Sequence, residues 1–252
     1  GAGRGRARRL PLRQMTSFYG RGSMFAASVV ALVVVALGAS LGLWQLRRAD
    51  QKAAMQAGME RAAAAAPVDI AAALRDADVG LDQAAAALDG KRVTARGILE
   101  ARHTIFLDNR TRQGIAGFHV LSPLRLAGSD RAVLVLRGWA PRDPADRKRL
   151  PPVPTPAEPV QVEGMALTRL AQPMMLGEDP DPSPGDGLWQ HFEYGKFERW
   201  SGLAVLPVII RQTVEPAYRD GLARDWNQPG VSVDRHHGYA FQWFALAAAA
   251  LV

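Results

Sequence analysis

The stretch Met24–Leu46, MFAASVVALVVVALGASLGLWQL, carries no charge over 23 residues. A helix rises 1.5 Å per residue, so this run spans roughly 34 Å against a hydrocarbon core of about 30 Å. A cleaved signal peptide, the alternative, has a shorter apolar core and a small-residue cleavage site. Here the run passes directly into Trp44-Gln45-Leu46-Arg47-Arg48, an interfacial aromatic followed by charge that stops transfer. The expected element is an uncleaved transmembrane helix.

Orientation follows from charge. Arg4, Arg6, Arg8, Arg9, Arg13 and Arg21 precede the run with no acid among them, against Arg47, Arg48 and Lys52 after it. The positive-inside bias puts the N-terminus in the cytoplasm. The rest of the chain then faces the periplasm of a Gram-negative-type cell, and the host membrane is the inner (plasma) membrane. The same six arginines supply most of the net charge of +7. The remainder is nearly balanced, so the charge marks a lipid bilayer flank and not a nucleic-acid partner. The chain has no cysteine, which excludes disulfides, thiol redox chemistry and thiolate metal sites. It opens on Gly1 and stops inside an apolar run, so both ends are expected to be incomplete, with Met15 or Met24 as candidate starts.

Residues 49–89 are rich in alanine, the strongest helix former. Pro67 should split them, Asp69 should cap the second helix and Gly90 should close it. Their weak apolar faces suggest helices on a surface and not in the deep core. From Lys91 the pattern turns to strands: RVTARGIL, HTIFLDN and GFHVLSPL alternate. RAVLVLRGW is a continuous apolar run that suits a buried central strand. VQVEGMALT and AVLPVIIRQ add two more, with Pro207 at an edge or bulge. Pro-rich loops are expected over Pro141–Pro159 and Pro173–Gly187, and FEYGKFERW should form a short helix. These signals indicate an antiparallel sheet or barrel-like domain.

Residues Gly238–Val252 are again uncharged. Fifteen residues are too few to span, so they read as the first half of a second transmembrane helix, with a buried core helix as the alternative. Tyr239 and Trp243 at its start fit an interfacial belt. The expected architecture is a membrane protein with two transmembrane helices flanking an α+β extracytoplasmic domain rich in antiparallel β-strands. Residues 1–23 form a basic cytoplasmic head and 24–46 the first span. Residues 47–237 form the periplasmic domain, and 238–252 begin the second span.

His236 and His237 precede that second run, beside Arg235. An interfacial imidazole can ligate haem iron and an arginine can pair with a propionate. On the residues alone, placement among lipid headgroups is the simpler reading. Arg48 and Lys52 lie four apart on one helix face and suit headgroups or propionates. His103, His119 and His191 show no metal spacing and read as structural, and Met174-Met175 reads as packing. Arg137-Gly138-Trp139 follows the buried run, with Gly138 suggesting a bulge or turn. No nucleophile elbow, P-loop, dinucleotide fingerprint or zinc motif occurs, which argues against an enzyme.

In this order the pieces resemble the Surfeit-locus family. The first carrier is Leu41, Gly42, Trp44, Gln45, Arg48 and Lys52, matching Leu-Gly-x-Trp-Gln-x-x-Arg-x-x-x-Lys. The second is Leu107-Asp108-Asn109-Arg110, then Gly117, then Pro123-Leu124. The third is Arg137-Gly138-Trp139 with Pro141, where Leu136 replaces a usual polar residue. The fourth is His236, Tyr239, Ala240, Trp243 and Phe244, matching His-x-x-Tyr-Ala-x-x-Trp-Phe.

The resemblance implies a non-enzymatic assembly factor for haem-copper terminal oxidases such as cytochrome c oxidase. It implies haem a as cargo, His236 as its ligand, and transfer to the oxidase catalytic subunit, with haem a synthase as a further partner. Arg48, Lys52, Arg235, Tyr239, Trp243, Trp44 and Gln45 would surround the site. A scaffold that binds oxidase subunits without haem, and an envelope enzyme, are the competing readings.

Overall fold

Residues 21–64 contain no proline and are dominated by alanine, leucine, valine and other helix-tolerant residues. In the computed structural model they form one continuous helix, α1 (Arg21–Ala64). The structure describes residues 21–75, 80–146, 149–171, 185–226 and 233–251. The basic head before Arg21 and Met174-Met175 lie outside the described residues. Among the described residues the chain divides into two compact units, one within residues 1–54 and 231–252 and one within 55–230.

The first unit holds most of α1 and α5 (Val233–Ala249). Among the described residues one helix is long and apolar enough to cross a membrane, the stretch from Met24 to Ala64. Its side chains there face outward: Phe25 is 74% exposed and Leu32 65%. At 17 residues α5 rises roughly 25 Å, which falls short of the hydrocarbon core. It also starts five residues before Gly238, so His236 and His237 are helical.

The second unit contains, in chain order, β1 (Val68–Asp69), α2 (Ile70–Arg75), α3 (Leu81–Leu88), β2 (Arg92–Leu99) and β3 (Ile105–Arg112). β4 (Ile115–Leu126), β5 (Ala132–Pro141), β6 (Val160–Leu167), β7 (Leu188–Trp189), α4 (Tyr194–Ser201) and β8 (Val205–Gln212) follow. α1 stops three residues before Pro67, and Asp69 Oδ1 accepts from the Ala72 N–H at 2.9 Å at the start of α2, as expected. Gly90 takes φ +72, but after α3, so the single helix expected from Asp69 to Gly90 is two, α2 and α3.

The sheet runs β1-β2-β6-β8-β5-β4-β3-β7, and an extra pairing of β2 with β4 closes five strands into a ring. Numbered along the chain, the ring order is 1-4-5-3-2, that of an OB-type Greek-key barrel. Three pairings, β1–β2, β3–β7 and β5–β8, are parallel. Antiparallel alternation alone does not anticipate them, because they join strands far apart in sequence.

Closure depends on Gly97. It pairs with Leu126 of β4 and with Val160 of β6 at once. A Cβ there would sit 2.0 Å from the carbonyl oxygen of Arg125. A glycine at a barrel corner lets the strand turn from one neighbour to the other. β5 is the buried central strand, with every residue from Ala132 to Ala140 buried. Pro207 falls where β8 slips register against β5, between Val205 and Ile209, so it marks a bulge and not an edge.

All five ring strands contribute to one apolar cluster that includes Val93, Leu124, Val133, Val162 and Ile210, so that cluster fills the barrel. Ile70, Ala85 and Leu88 from the alanine-rich helices join it. The expectation that these helices avoid the core is therefore corrected. Small side chains allow close approach to the strands, and Ile70 on α2 and Leu88 on α3 anchor them. The outer faces of β5 and β8 pack on Phe192 and Phe197 in a second cluster.

Candidate functional site

α1 and α5 meet through small residues. A Cβ on Gly38 would lie 2.9 Å from the Cβ of Ala247 and 3.0 Å from the carbonyl oxygen of Trp243. A Cβ on Gly42 would lie 2.6 Å from the Phe244 ring. Gly38 and Gly42 are four apart and share a face, the small-x-x-x-small pattern of close helix pairs in membranes. Along α1 the covered positions include Val35, Gly38, Gly42, Gln45, Ala49 and Lys52, alternately three and four apart, with Ala39 and Leu46 beside them. That is a heptad seam. Partners on α5 run backwards as α1 runs forwards, so the helices are antiparallel.

The next contact along this seam is polar. His236 Nδ1 lies 2.7 Å from Gln45 Oε1. An amide oxygen can only accept, so the Nδ1–H donates and Nε2 keeps its lone pair. His236 precedes the apolar segment that begins at Gly238. Its pKa lies below the ordinary histidine value, first through desolvation and then through the positive charges of Lys52, Arg48 and His237. A neutral imidazole with one nitrogen held by a hydrogen bond is the form that binds a metal. Arg48 Nη1 also donates to Gln51 Oε1 at 3.3 Å.

The predicted surroundings divide. His236, Gln45, Arg48 and Lys52 come together. Trp243 is half-buried, with its backbone oxygen over Gly38. Trp44 and Tyr239 are 56% and 51% exposed, and Arg235 is also exposed. The glycine pair that seats the helices was a signal open to sequence reading and was missed there.

The barrel unit holds features that no motif singled out as functional. Arg137 is the extra residue of a bulge in β5, because Val120 pairs with Gly138 while Leu121 pairs with Leu136. The bulge expectation at this tripeptide thus holds, inside the strand and not after it. Arg137 is fully buried and donates to Thr155 Oγ1 at 2.8 Å, Pro154 O at 2.7 Å and Asp220 Oδ2 at 3.3 Å. Asp220 also pairs with buried Arg224. The network ties the Pro-rich loop and the segment after β8 to the barrel wall. A Cβ on Gly138 would strike Leu222 at 2.6 Å, so the glycine admits that segment.

A cleft of about 390 Å³ lies on the same unit, between Arg110, His119, Trp139, Arg211 and Trp226. The domain histidines do not converge. His103 stacks edge-on against Trp200 and His119 against Trp226. Among the described residues no three of His, Asp and Glu group closely enough to hold a metal.

A helix fit to cross a membrane, a closed five-strand barrel and a helix-borne histidine held by a glutamine define a class of barrel protein with an apolar helical unit. The SURF1 family model matches residues 32–248. The chain belongs to the SURF1 family. It is 28% identical over 251 residues to a SURF1-like protein of Monosiga brevicollis, covering 92% of this chain and 86% of that one. It is 24% identical over 213 residues to Surfeit locus protein 1 of Arabidopsis thaliana, covering 81% of this chain. It spans about half, 52%, of that relative's length.

Proposed function

We propose that this chain is an assembly factor for haem-copper terminal oxidases that carries haem a at His236 and passes it to the oxidase catalytic subunit. The observation that carries the reading is the 2.7 Å contact between His236 Nδ1 and Gln45 Oε1. It leaves Nε2 as an available iron ligand. Arg48 and Lys52 supply positive charge near the same imidazole, where propionates would need it. Family membership supports the oxidase connection.

In this reading α5 enters the membrane antiparallel to α1, the barrel unit is periplasmic, and the protein is multi-pass in the inner membrane. Haem a is cargo, so the chain performs no turnover. The residues present fit it: a neutral imidazole, two cations and an apolar seam. Haem a synthase is a further expected partner.

The test is a visible spectrum of the full chain purified in detergent after co-production with haem a synthesis. A haem band that is lost in His236→Ala and reduced or shifted in Gln45→Leu supports the assignment. An unchanged spectrum in His236→Ala removes His236 from the role. Oxidase activity that falls on deletion, with no haem on the purified protein, would favour the haem-free scaffold.

A further inference from the structure

The cleft on the barrel unit has an unusual charge balance. Arg110, Arg112, Arg211 and Asp225 are its formally charged lining residues. Asp225 is already engaged, since Arg112 Nε and Nη2 grip its two oxygens at 2.6 and 2.8 Å. Arg110 is only 8% exposed. Its Nε and Nη2, and the Nε of Arg211, are buried with no hydrogen-bond partner among the described residues. Burial pushes both guanidiniums below their ordinary pKa. Burying a cation without a counter-charge is costly, and guanidinium donors without acceptors add to the cost. Arg110 is buried and Arg211 half-buried in the same cleft, so a negatively charged acceptor there would relieve both.

The walls define the rest of the ligand. Leu107, Leu136 and Trp226 line the cleft. The indole N–H groups of both cleft tryptophans are consumed by backbone, Trp139 Nε1 to Arg110 O at 2.8 Å and Trp226 Nε1 to Gln212 O at 2.7 Å. Trp139 is 7% exposed with Arg112 over its ring at 5.5 Å, so the half-buried Trp226, which meets His119 edge-on, offers the open aromatic surface. His119 is neutral near pH 7, because burial and then Arg110 lower its pKa to about 4, so it adds no charge. The register slip of β3 between Leu107 and Arg110, with Asn109 at φ +56, sets Arg110 at the cleft. A volume of about 390 Å³ falls in the range of small-molecule sites.

We infer that this cleft binds the anionic end, a carboxylate or a phosphate, of a small molecule with an apolar body. Arg110 and Arg211 would hold the anion, and Trp226 with Leu167 and Leu170 the body. Guanidinium forks match both oxyanions in paired hydrogen bonds. The cleft is built from residues of the barrel unit alone, and the inference does not depend on the haem reading.

Calorimetric titration of the full chain in a neutral maltoside, at constant ionic strength, tests it. The probes are inorganic phosphate, 2-naphthoate, 2-naphthyl phosphate and uncharged 2-naphthylmethanol. The naphthyl anions should bind saturably and at least about tenfold tighter than the alcohol, the worth of one charge-assisted pair. Comparing naphthoate with naphthyl phosphate tells the carboxylate source from the phosphate source. Arg211→Gln should weaken the better anion by about tenfold or more, while Arg125→Gln, outside the cleft, leaves it unchanged. The comparison with the alcohol uses unaltered protein, so a poorly folding variant does not block the test. Equal binding of the alcohol and the anions, or no saturable binding of either anion, would overturn the inference.

Discussion

Asp220→Ala should unfold the barrel unit at a markedly lower temperature. Asp220 bridges two buried cations, and the side chains of Arg137 and Asp220 are 0% and 1% exposed. Removing one member of a buried ion pair costs about 3–5 kcal/mol, because the other charge is left uncompensated. Partial compensation remains here. Arg137 keeps Thr155 and the Pro154 carbonyl, and Arg224 keeps Glu215 at 2.8 Å and the Leu222 carbonyl. The lower end of the range, about 3 kcal/mol, is therefore expected. For a unit of this size that is a drop of roughly 6–12 °C.

Thermal unfolding of the full chain followed by tryptophan fluorescence reads it. Glu100→Gln, which breaks the more exposed pair with Arg125, should cost less than about 1 kcal/mol. The double change Arg137→Met with Asp220→Leu should recover much of the loss, since it removes the stranded charge along with its partner. If Asp220→Ala matches the Glu100→Gln control, the network does not hold the barrel wall as argued.

Gly97→Ala should prevent the barrel from closing. A carbon and a carbonyl oxygen need roughly 3.3 Å, against the 2.0 Å available, so the strand must move and lose β2–β4 pairing. A loss of at least about 3 kcal/mol, seen as rapid proteolysis of the unit, is expected. His119 has a folded pKa of about 4 against an ordinary 6.5, so the unfolded chain takes up the proton first as pH falls. Its contribution is full above pH 6.5 and is lost between 6.5 and about 4, by at most about 3 kcal/mol. The difference in stability between wild type and His119→Gln, measured across that window, should show this slope, and parallel curves would refute it.

The sequence by itself determined the elements. An uncharged run of 23 residues forms a helix long and apolar enough to cross a membrane, and period-two alternation from Arg92 onward gives strands whose residues face two environments. Pro67, Asp69 and Gly90 acted through local backbone chemistry, so their places were legible. The resemblance pointed to His236 and Gln45 separately. What only the tertiary structure decided is every feature made by residues distant in the chain. Ring closure through Gly97, the parallel β5–β8 pair and the Arg137–Asp220–Arg224 network all join such segments. So does the hydrogen bond that spans 191 residues between Gln45 and His236. Arg110 stands in a stretch that carries the family resemblance, yet neither its burial nor that of the Arg211 Nε is legible in sequence. A guanidinium is costly to bury only where its surroundings exclude water, and that exclusion is a property of the folded barrel.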